Sequence, residues 1–185
     1  LYGGDREMRL KQEIILGMGG IRLLDKLDFN VQVVHMNEGH SSFALFERAR
    51  LFMKKHGLTF IEALEVTRKS NIFTTHTPVP AGNDEFAPEL VKRYFHQYAS
   101  DVGISIDEFL AFGRAHKDNH HENFSMPVLA IKFSSFVNGV SQLHAVVARK
   151  MWQHLWKNVP GEHVPIEGIT NGVHLATWVS FELNE

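Results

Sequence analysis

The sequence predicts an α/β fold built on a parallel sheet with flanking helices. Short apolar, β-branched runs alternate along the chain with longer segments whose apolar residues recur at helical spacing. Polar loops follow three of the predicted strands, which is where open α/β sheets bind ligands. The composition agrees, because 44% of the 185 residues are hydrophobic and 22% are charged, as in proteins that bury a core.

The first third of the chain predicts helix, strand and helix in that order. Residues 6–27 carry apolar side chains at helical spacing, and their glycines allow either one long helix or two helices that meet. Residues 31–36 predict a strand buried on both faces, since they are short, apolar and β-branched. The next helix ends at Gly57, and Ser41 or Ser42 is placed to cap its start.

The same rhythm repeats in the middle of the chain. A capping box begins a helix at Phe60 that runs to about Lys69, and residues 71–75 predict the second strand. Pro88 opens a helix over 89–99, and another capping box begins a helix that ends at about Ala115. The two boxes are Thr59-x-x-Glu62 and Ser105-x-x-Glu108.

The last third predicts one exposed loop and two further strands. Residues 117–125 are polar and predict the loop, whereas 126–133 and 143–156 predict helices. Extended segments are predicted at 136–140 and 166–170. Alternation of strands with helices therefore continues to the end of the chain.

Three polar loops are candidate ligand contacts. Asn37, Glu38 and His40 offer an amide, a carboxylate and an imidazole, which suit hydrogen bonds to sugar hydroxyls, although these residues also suit a simple turn. His76 lies between two threonines and before two prolines, so its backbone is stiff, yet a histidine after a strand also serves structure. Thr170-Asn171-Gly172 alone is equally a turn with a left-handed glycine.

Charge and composition exclude several other classes. A net charge of -2 leaves no basic field for nucleic acid or an acidic membrane, and no apolar run approaches the roughly 20 residues of a membrane helix. The absence of cysteine and of a signal-peptide pattern favours the cytoplasm. Since the chain begins at Leu1 rather than methionine, we expect it to be an internal piece of a longer polypeptide.

A metal site is a separate hypothesis. His116, His120, His121 and Glu122 lie close together, and a metal-binding protein that uses them is one alternative function. The intervening Asp118-Asn119 pair favours a turn, and the pattern is not that of a known zinc enzyme. We therefore expect no functional metal.

Taken in order, the loops resemble those of the α-glucan phosphorylases, the family of glycogen and maltodextrin phosphorylase, and above all its short bacterial and archaeal branch. The segments that carry the resemblance are 3–7, 9–13, 37–41, 75–83, 137–140 with His144, 169–173 and Trp178. They span nearly the whole chain.

The resemblance implies a two-domain enzyme with facing Rossmann-like halves, of the glycosyltransferase type. It would cleave terminal glucosyl units of an α-1,4-glucan with inorganic phosphate, giving glucose 1-phosphate with retention, and would use the phosphate group of pyridoxal phosphate to relay a proton. Residues 1–185 would be the C-terminal portion of its N-terminal domain, ending near the interdomain crevice. The parent protein would be a homodimer.

The resemblance also implies roles for individual residues. His76 would be the catalytic histidine that contacts the glucosyl unit and stabilises its oxocarbenium-like transition state. Asn171 would hydrogen-bond the same sugar, and Trp178 would pack near the cofactor. The remaining substrate-binding candidates are Thr77, His40 and Glu38; Glu38 would support His76 and stands where the mammalian muscle type has aspartate.

The family's Schiff-base lysine and phosphate-binding basic residues belong to its C-terminal domain and do not occur in this sequence. We therefore expect the chain alone to be inactive and to bind no pyridoxal phosphate, because sugar contacts cannot supply the proton transfer. An incomplete sheet also predicts self-association or marginal stability. The alternative function is a non-catalytic carbohydrate-binding or structural domain of the same fold.

Overall fold

A four-stranded parallel sheet organises the protein, as predicted. The computed structural model describes residues 4–79 and 82–180. Within them the strands are β1 Val34–Asn37, β2 Asn71–Thr75, β3 Glu85–Phe86, β4 Phe124–Ser125, β5 Phe136–Gly139 and β6 Glu167–Gly168. The parallel sheet has the order β1-β2-β5-β6, and β3 pairs antiparallel with β4 beside it.

Helices connect the strands of the parallel sheet. They are α1 Arg6–Ile14, α2 Gly20–Lys26, α3 Ala44–His56, α4 Phe60–Arg68, α5 Pro88–Asp101, α6 Ile106–Phe112, α7 Met126–Lys132, α8 Gln142–Trp152 and α9 Leu175–Trp178. A π-helical turn at Ile15–Gly19 joins α1 to α2, so the first predicted helix is one continuous element. None of these helices, within the two described ranges, has the length and apolar character needed to cross a bilayer.

Most of the predicted capping signals are confirmed, including Pro88 at the start of α5 and Gly57 at the end of α3, but one is wrong. Both predicted capping boxes form, at the starts of α4 and α6. Neither serine caps α3, however. Residues 39–41 form a turn of 3-10 helix, α3 begins after Phe43 without a side-chain cap, and Ser42 Oγ donates to the carbonyl of Gly39 at 2.6 Å. The Ser42 hydroxyl therefore hydrogen-bonds within the 3-10 turn and does not cap α3.

One face of the sheet is covered and the other is open. Met36, Phe73 and Val137 point into the helix layer and are at most 5% exposed. The predicted burial of β1 on both faces is wrong, because His35 and Asn37 are exposed on the opposite face, which no helix covers among the described residues. The open face becomes part of the candidate site described below.

The polar stretch 117–125 is not wholly the exposed loop that its composition predicts. Phe124 and Ser125 are buried and form β4 against β3. The Phe124 ring stacks between Phe43 and Phe109, with centroids 5.9 and 6.0 Å away. A two-residue ladder whose paired residues are 38 and 40 positions apart leaves no periodic signal in the sequence.

Several helices and strands end earlier, or are shorter, than predicted. The sixth helix stops at Phe112 rather than Ala115, and α8 gives way to 3-10 helix after Trp152. The last strand is reduced to Glu167–Gly168, although Ile169 N still donates to Gly139 O at 3.0 Å. The chain thus continues beside β5 toward residue 171.

Candidate functional site

The carboxyl ends of β1, β2 and β5 lie level with one another at one edge of the sheet. The register pairs Asn37 with Thr74 and Thr75 with Gly139, so the loops that follow β1, β2 and β5 leave the same edge of the sheet. Beyond β6, Asn171 N donates to Val140 O at 3.2 Å and brings the fourth loop alongside. This edge is where open α/β sheets bind ligands.

Glu38 fixes the loop that carries His76. Its backbone has φ 66° and ψ 174°, a left-handed region that costs a non-glycine residue about 1–3 kcal/mol. The Glu38 N–H donates to Thr74 O at 2.9 Å, and the carboxylate accepts the backbone N–H groups of His76 and, at 2.6 Å, Thr77. The expected support of His76 therefore reaches its backbone, which leaves the imidazole exposed toward the cleft.

The predicted site residues divide between two adjacent clefts. The wider one, of about 560 Å³, opens on the uncovered sheet face and includes His76 and Asn171. The narrower one, of about 210 Å³, includes Glu38, His40 and Thr77. Since Glu38 binds the peptide that joins His76 to Thr77, the two clefts share one wall.

A polar row on the open sheet face was not predicted. Thr74 Oγ1 donates to Asn138 Oδ1 at 2.8 Å and lies 2.7 Å from His35 Nε2. The threonine proton is committed to Asn138, so Nε2 is the nitrogen that donates in this arrangement. The period-2 alternation of strands β1, β2 and β5 could have indicated that these residues share a face.

Helix α1 contributes to the narrower cleft, which the sequence did not indicate. Arg9 Nη2 donates to Asp84 Oδ2 at 2.7 Å, and Arg9 Nε lies 3.0 Å from Glu13 Oε1. Both Arg9 and Asp84 line this cleft, as does Asn83, whose buried Nδ2 has no hydrogen-bond partner. Arg9 and Asp84 are 75 positions apart, so no local pattern connects them.

His40 is neutral at ordinary pH. Burial is the largest cause that lowers its pKa, and the positive charge of Arg9 acts in the same direction, while Glu38 and Asp84 oppose them. A neutral imidazole has one donor and one acceptor nitrogen. His40 therefore suits hydrogen bonding to hydroxyl groups.

Trp178 lies outside both clefts. It ends α9 and is 78% exposed, so its indole presents a free face.

Lys132, the lysine with a lowered pKa among the described residues, owes that shift to burial. Its ammonium donates to the carbonyls of Ala111 and Arg114 and is thereby committed to the end of α6.

The histidine-rich loop forms a closed turn. The Glu122 carboxylate accepts the N–H groups of Ala115 at 2.6 Å and His116 at 3.0 Å, and its Oε2 lies 3.3 Å from His116 Nδ1. No cluster of three or more potential ligands with metal-binding geometry occurs among the residues that the structure describes. The carboxylate that a metal would need stabilises the loop.

Comparison with known proteins connects the site to a family. The family model for carbohydrate phosphorylases matches residues 5–184. The chain is 47% identical to the maltodextrin phosphorylase of Thermococcus litoralis, with 100% of this chain and 21% of the relative aligned. It is 42% identical to the glycogen phosphorylase of Mycobacterium tuberculosis and 34% identical to that of Aquifex aeolicus, covering 97% and 99% of this chain and 22% and 26% of the relatives.

The chain spans about a fifth to a quarter of the length of these relatives. Within that span, the family match covers nearly all of its residues, and the polar loops that carry the resemblance lie at one edge of the sheet. On this evidence the chain belongs to the carbohydrate phosphorylase family.

Proposed function

We propose that this chain forms one wall of the sugar site of an α-1,4-glucan phosphorylase, which releases glucose 1-phosphate from glucan and inorganic phosphate. The observation that carries the proposal is the shared cleft of His76 and Asn171, which follow different strands but line the same 560 Å³ space. Clefts of that size are typical of small-molecule sites, and six of the nine residues that line this one have polar side chains able to hydrogen-bond hydroxyl groups. The relatives named maltodextrin and glycogen phosphorylase support this substrate class.

In the proposed mechanism His76 contacts the glucosyl unit. Its backbone is fixed by Glu38, so little reorganisation is needed to place the imidazole near the positive charge that develops on the sugar. Asn171 offers one amide donor and one acceptor to hydroxyls of the same sugar. Both groups would act by position and electrostatics, with no proton transfer assigned to them.

The narrower cleft supplies further hydroxyl contacts in this proposal. Thr77 and neutral His40 can each donate and accept a hydrogen bond, and both line the 210 Å³ space. Glu38 lines it as well, although its carboxylate already accepts two backbone N–H groups. We therefore assign Glu38 mainly to positioning.

Pyridoxal phosphate is the proposed cofactor of the complete enzyme and would supply proton relay through its phosphate group. Of this chain's residues, Trp178 offers an exposed aromatic face for it, whereas Lys132 is buried against carbonyls. By resemblance to the family, the attachment lysine would lie in the C-terminal domain and not in this chain. We place residues 1–185 in the C-terminal portion of the N-terminal domain of a cytoplasmic, homodimeric enzyme.

Incubation with maltodextrin and inorganic phosphate tests the proposal. We expect glucose 1-phosphate from the full-length protein with pyridoxal phosphate and none from the isolated chain, because the proton relay lies outside it. Release by the isolated chain would refute this division of labour. Binding of maltodextrin without any release by the full-length protein would instead favour the non-catalytic carbohydrate-binding alternative.

A further inference from the structure

The loop from His76 to Asp84 is anchored at both ends, by unrelated parts of the chain. Glu38 holds its start through two backbone N–H groups. At its end the Asp84 carboxylate accepts from Arg9 Nη2 at 2.7 Å and Nε at 3.2 Å, and the Asp84 carbonyl accepts from Met126 N at 3.0 Å. The second anchor depends on α1, far away in sequence.

A second carboxyl group lies against the same arginine. Glu13, one helical turn after Arg9, is 1% exposed, and its Oε1 lies 3.0 Å from Arg9 Nε. Arg9 and Asp84 are themselves only 15% and 20% exposed. Two carboxyl groups thus share one guanidinium in a site where burial penalises a second negative charge.

The surroundings keep a proton on Glu13. Burial is the main cause that raises its pKa to about 8, and the negative charge of Asp84 adds to it, while Arg9 opposes both. The charged groups that face the pair are Arg9 on the same helix and Arg6, 3.6 Å from Asp84. His40, from the turn after β1, is influenced by Arg9 and Asp84 as well.

We propose that Glu13 and Asp84 are positioning residues, which act through Arg9 to hold the end of the loop that carries His76 and Thr77. This inference rests on the proposed function for its catalytic meaning, but the anchoring itself does not. Neutral Glu13 can donate its O–H toward Asp84, so a single negative charge faces Arg9. The loop is then fixed at both ends and the narrower cleft keeps its shape.

The direction of the pH effect follows from the proton on Glu13. Unfolded glutamate titrates near 4.5, whereas folded Glu13 keeps its proton to about pH 8. The folded state therefore binds more protons between these values, and stability falls as pH rises from 4.5 to about 8. Above that range two carboxylates repel each other around Arg9, and the end of the loop loosens.

Hydrogen exchange followed by mass spectrometry tests the anchor without any enzyme assay. After correction for intrinsic rates, we expect exchange in peptides covering residues 76–84 to accelerate on the order of tenfold between about pH 6 and about pH 9 in the wild type. Peptides covering β2 should follow only the smaller global change. Glu13→Gln, which keeps hydrogen-bonding groups but cannot ionise, should abolish the pH dependence of the loop.

Glu65→Gln is the matched control, because Glu65 is 61% exposed and paired only with surface Arg68. It should reproduce the wild-type pH course. Loop exchange that follows the same pH course in the wild type and in Glu13→Gln would overturn the proposal. Equal acceleration of exchange in β2 and in the loop of the wild type would show that only global stability changes with pH, and would overturn it as well.

Kinetics of the full-length protein separate the two proposals. If both hold, KM for maltodextrin should rise several-fold above about pH 8 in the wild type and stay level in Glu13→Gln, with kcat less affected. If exchange in the loop accelerates with pH as expected but the protein never releases glucose 1-phosphate, the phosphorylase function is refuted and the anchoring role of Glu13 and Asp84 stands. If the protein releases glucose 1-phosphate but exchange in the loop does not depend on pH, the anchoring role is refuted and the phosphorylase function stands.

Discussion

The Glu38 carboxylate holds the start of the candidate catalytic loop. Glu38 occupies a backbone region that favours glycine, yet a glycine there could not accept the N–H groups of His76 and Thr77. The conformational strain is offset by hydrogen bonds to a charged acceptor, each worth about 1.5–3 kcal/mol. The strained backbone of Glu38 therefore places its carboxylate where it can hold the loop that carries His76.

Substitution of Glu38 measures this anchor. We expect Glu38→Ala to lower the free energy of unfolding by about 1–3 kcal/mol, because the backbone N–H groups of exposed His76 and half-buried Thr77 lose their charged acceptor. Glu38→Gln retains an oxygen acceptor and should cost less. Urea unfolding of both variants is the measurement, with Glu65→Ala as a surface control expected within about 0.5 kcal/mol of the wild type. Equal stabilities of Glu38→Ala and the control would contradict the anchoring role.

The sequence singles out Glu38, His76 and Asn171 as candidate site residues, but it does not show how they connect. Their assignment to a sugar site stays a prediction. The bond from Glu38 to the next strand's loop required the register of β1 on β2. The contact of Arg9 with Asp84 required the tertiary fold, because nothing local links the two residues.

Gly17 and Gly20 lie in the same N-terminal helical element but have different surroundings. A Cβ on Gly17 would lie 2.7 Å from the backbone nitrogen of Ala44, so the glycine permits the close approach of the π-helical turn to α3. A Cβ on Gly20 would meet nothing within 4 Å. The same residue type is therefore required at one position and merely tolerated at the other.

Two alanine substitutions should have opposite effects on stability. Gly17→Ala forces the helices apart, and overpacking of this kind costs about 1–3 kcal/mol. Gly20→Ala removes backbone freedom without a clash and should stabilise the helix by up to about 1 kcal/mol. Thermal unfolding of the two variants gives the comparison directly. A stabilising Gly17→Ala would show that the helix crossing is looser than the structure indicates.

Elements were predicted well where their signals are local. Capping boxes at Thr59 and Ser105 combine two reciprocal hydrogen bonds within four residues, and both form. The β3–β4 pair escaped prediction because its stability comes from the buried aromatic packing of Phe124 and not from its own sequence pattern. Burial of β1 was overestimated because its apolar composition does not reveal that one face of the sheet is uncovered.

For the whole molecule, the main consequence of the fold is an uncovered sheet face. The wider cleft is lined by strand residues and the residues that follow strands, and no helix residue contributes to its lining among the residues described. Parallel sheets occur almost entirely with both faces covered. The open face accordingly supports the expectation that the isolated chain associates or is marginally stable.

Self-association should depend on this face. We expect the isolated chain to show concentration-dependent association in analytical ultracentrifugation, because half-exposed apolar side chains such as Ile169 line the open cleft. Ile169→Glu should weaken it. Leu143→Glu, at a 76% exposed position on α8, is the matched control and should leave it unchanged. A chain that stays monomeric at all concentrations would contradict the prediction.

One substitution in the full-length protein tests whether the His76 cleft is the sugar site of a glucan phosphorylase. His76→Ala is compared with His96→Ala, which removes an exposed histidine on α5 that lines neither cleft. The measurement is the rate of glucose 1-phosphate release from maltodextrin and phosphate. We expect a loss of at least about 100-fold for His76→Ala and a wild-type rate for His96→Ala. Equal rates for both variants would contradict it.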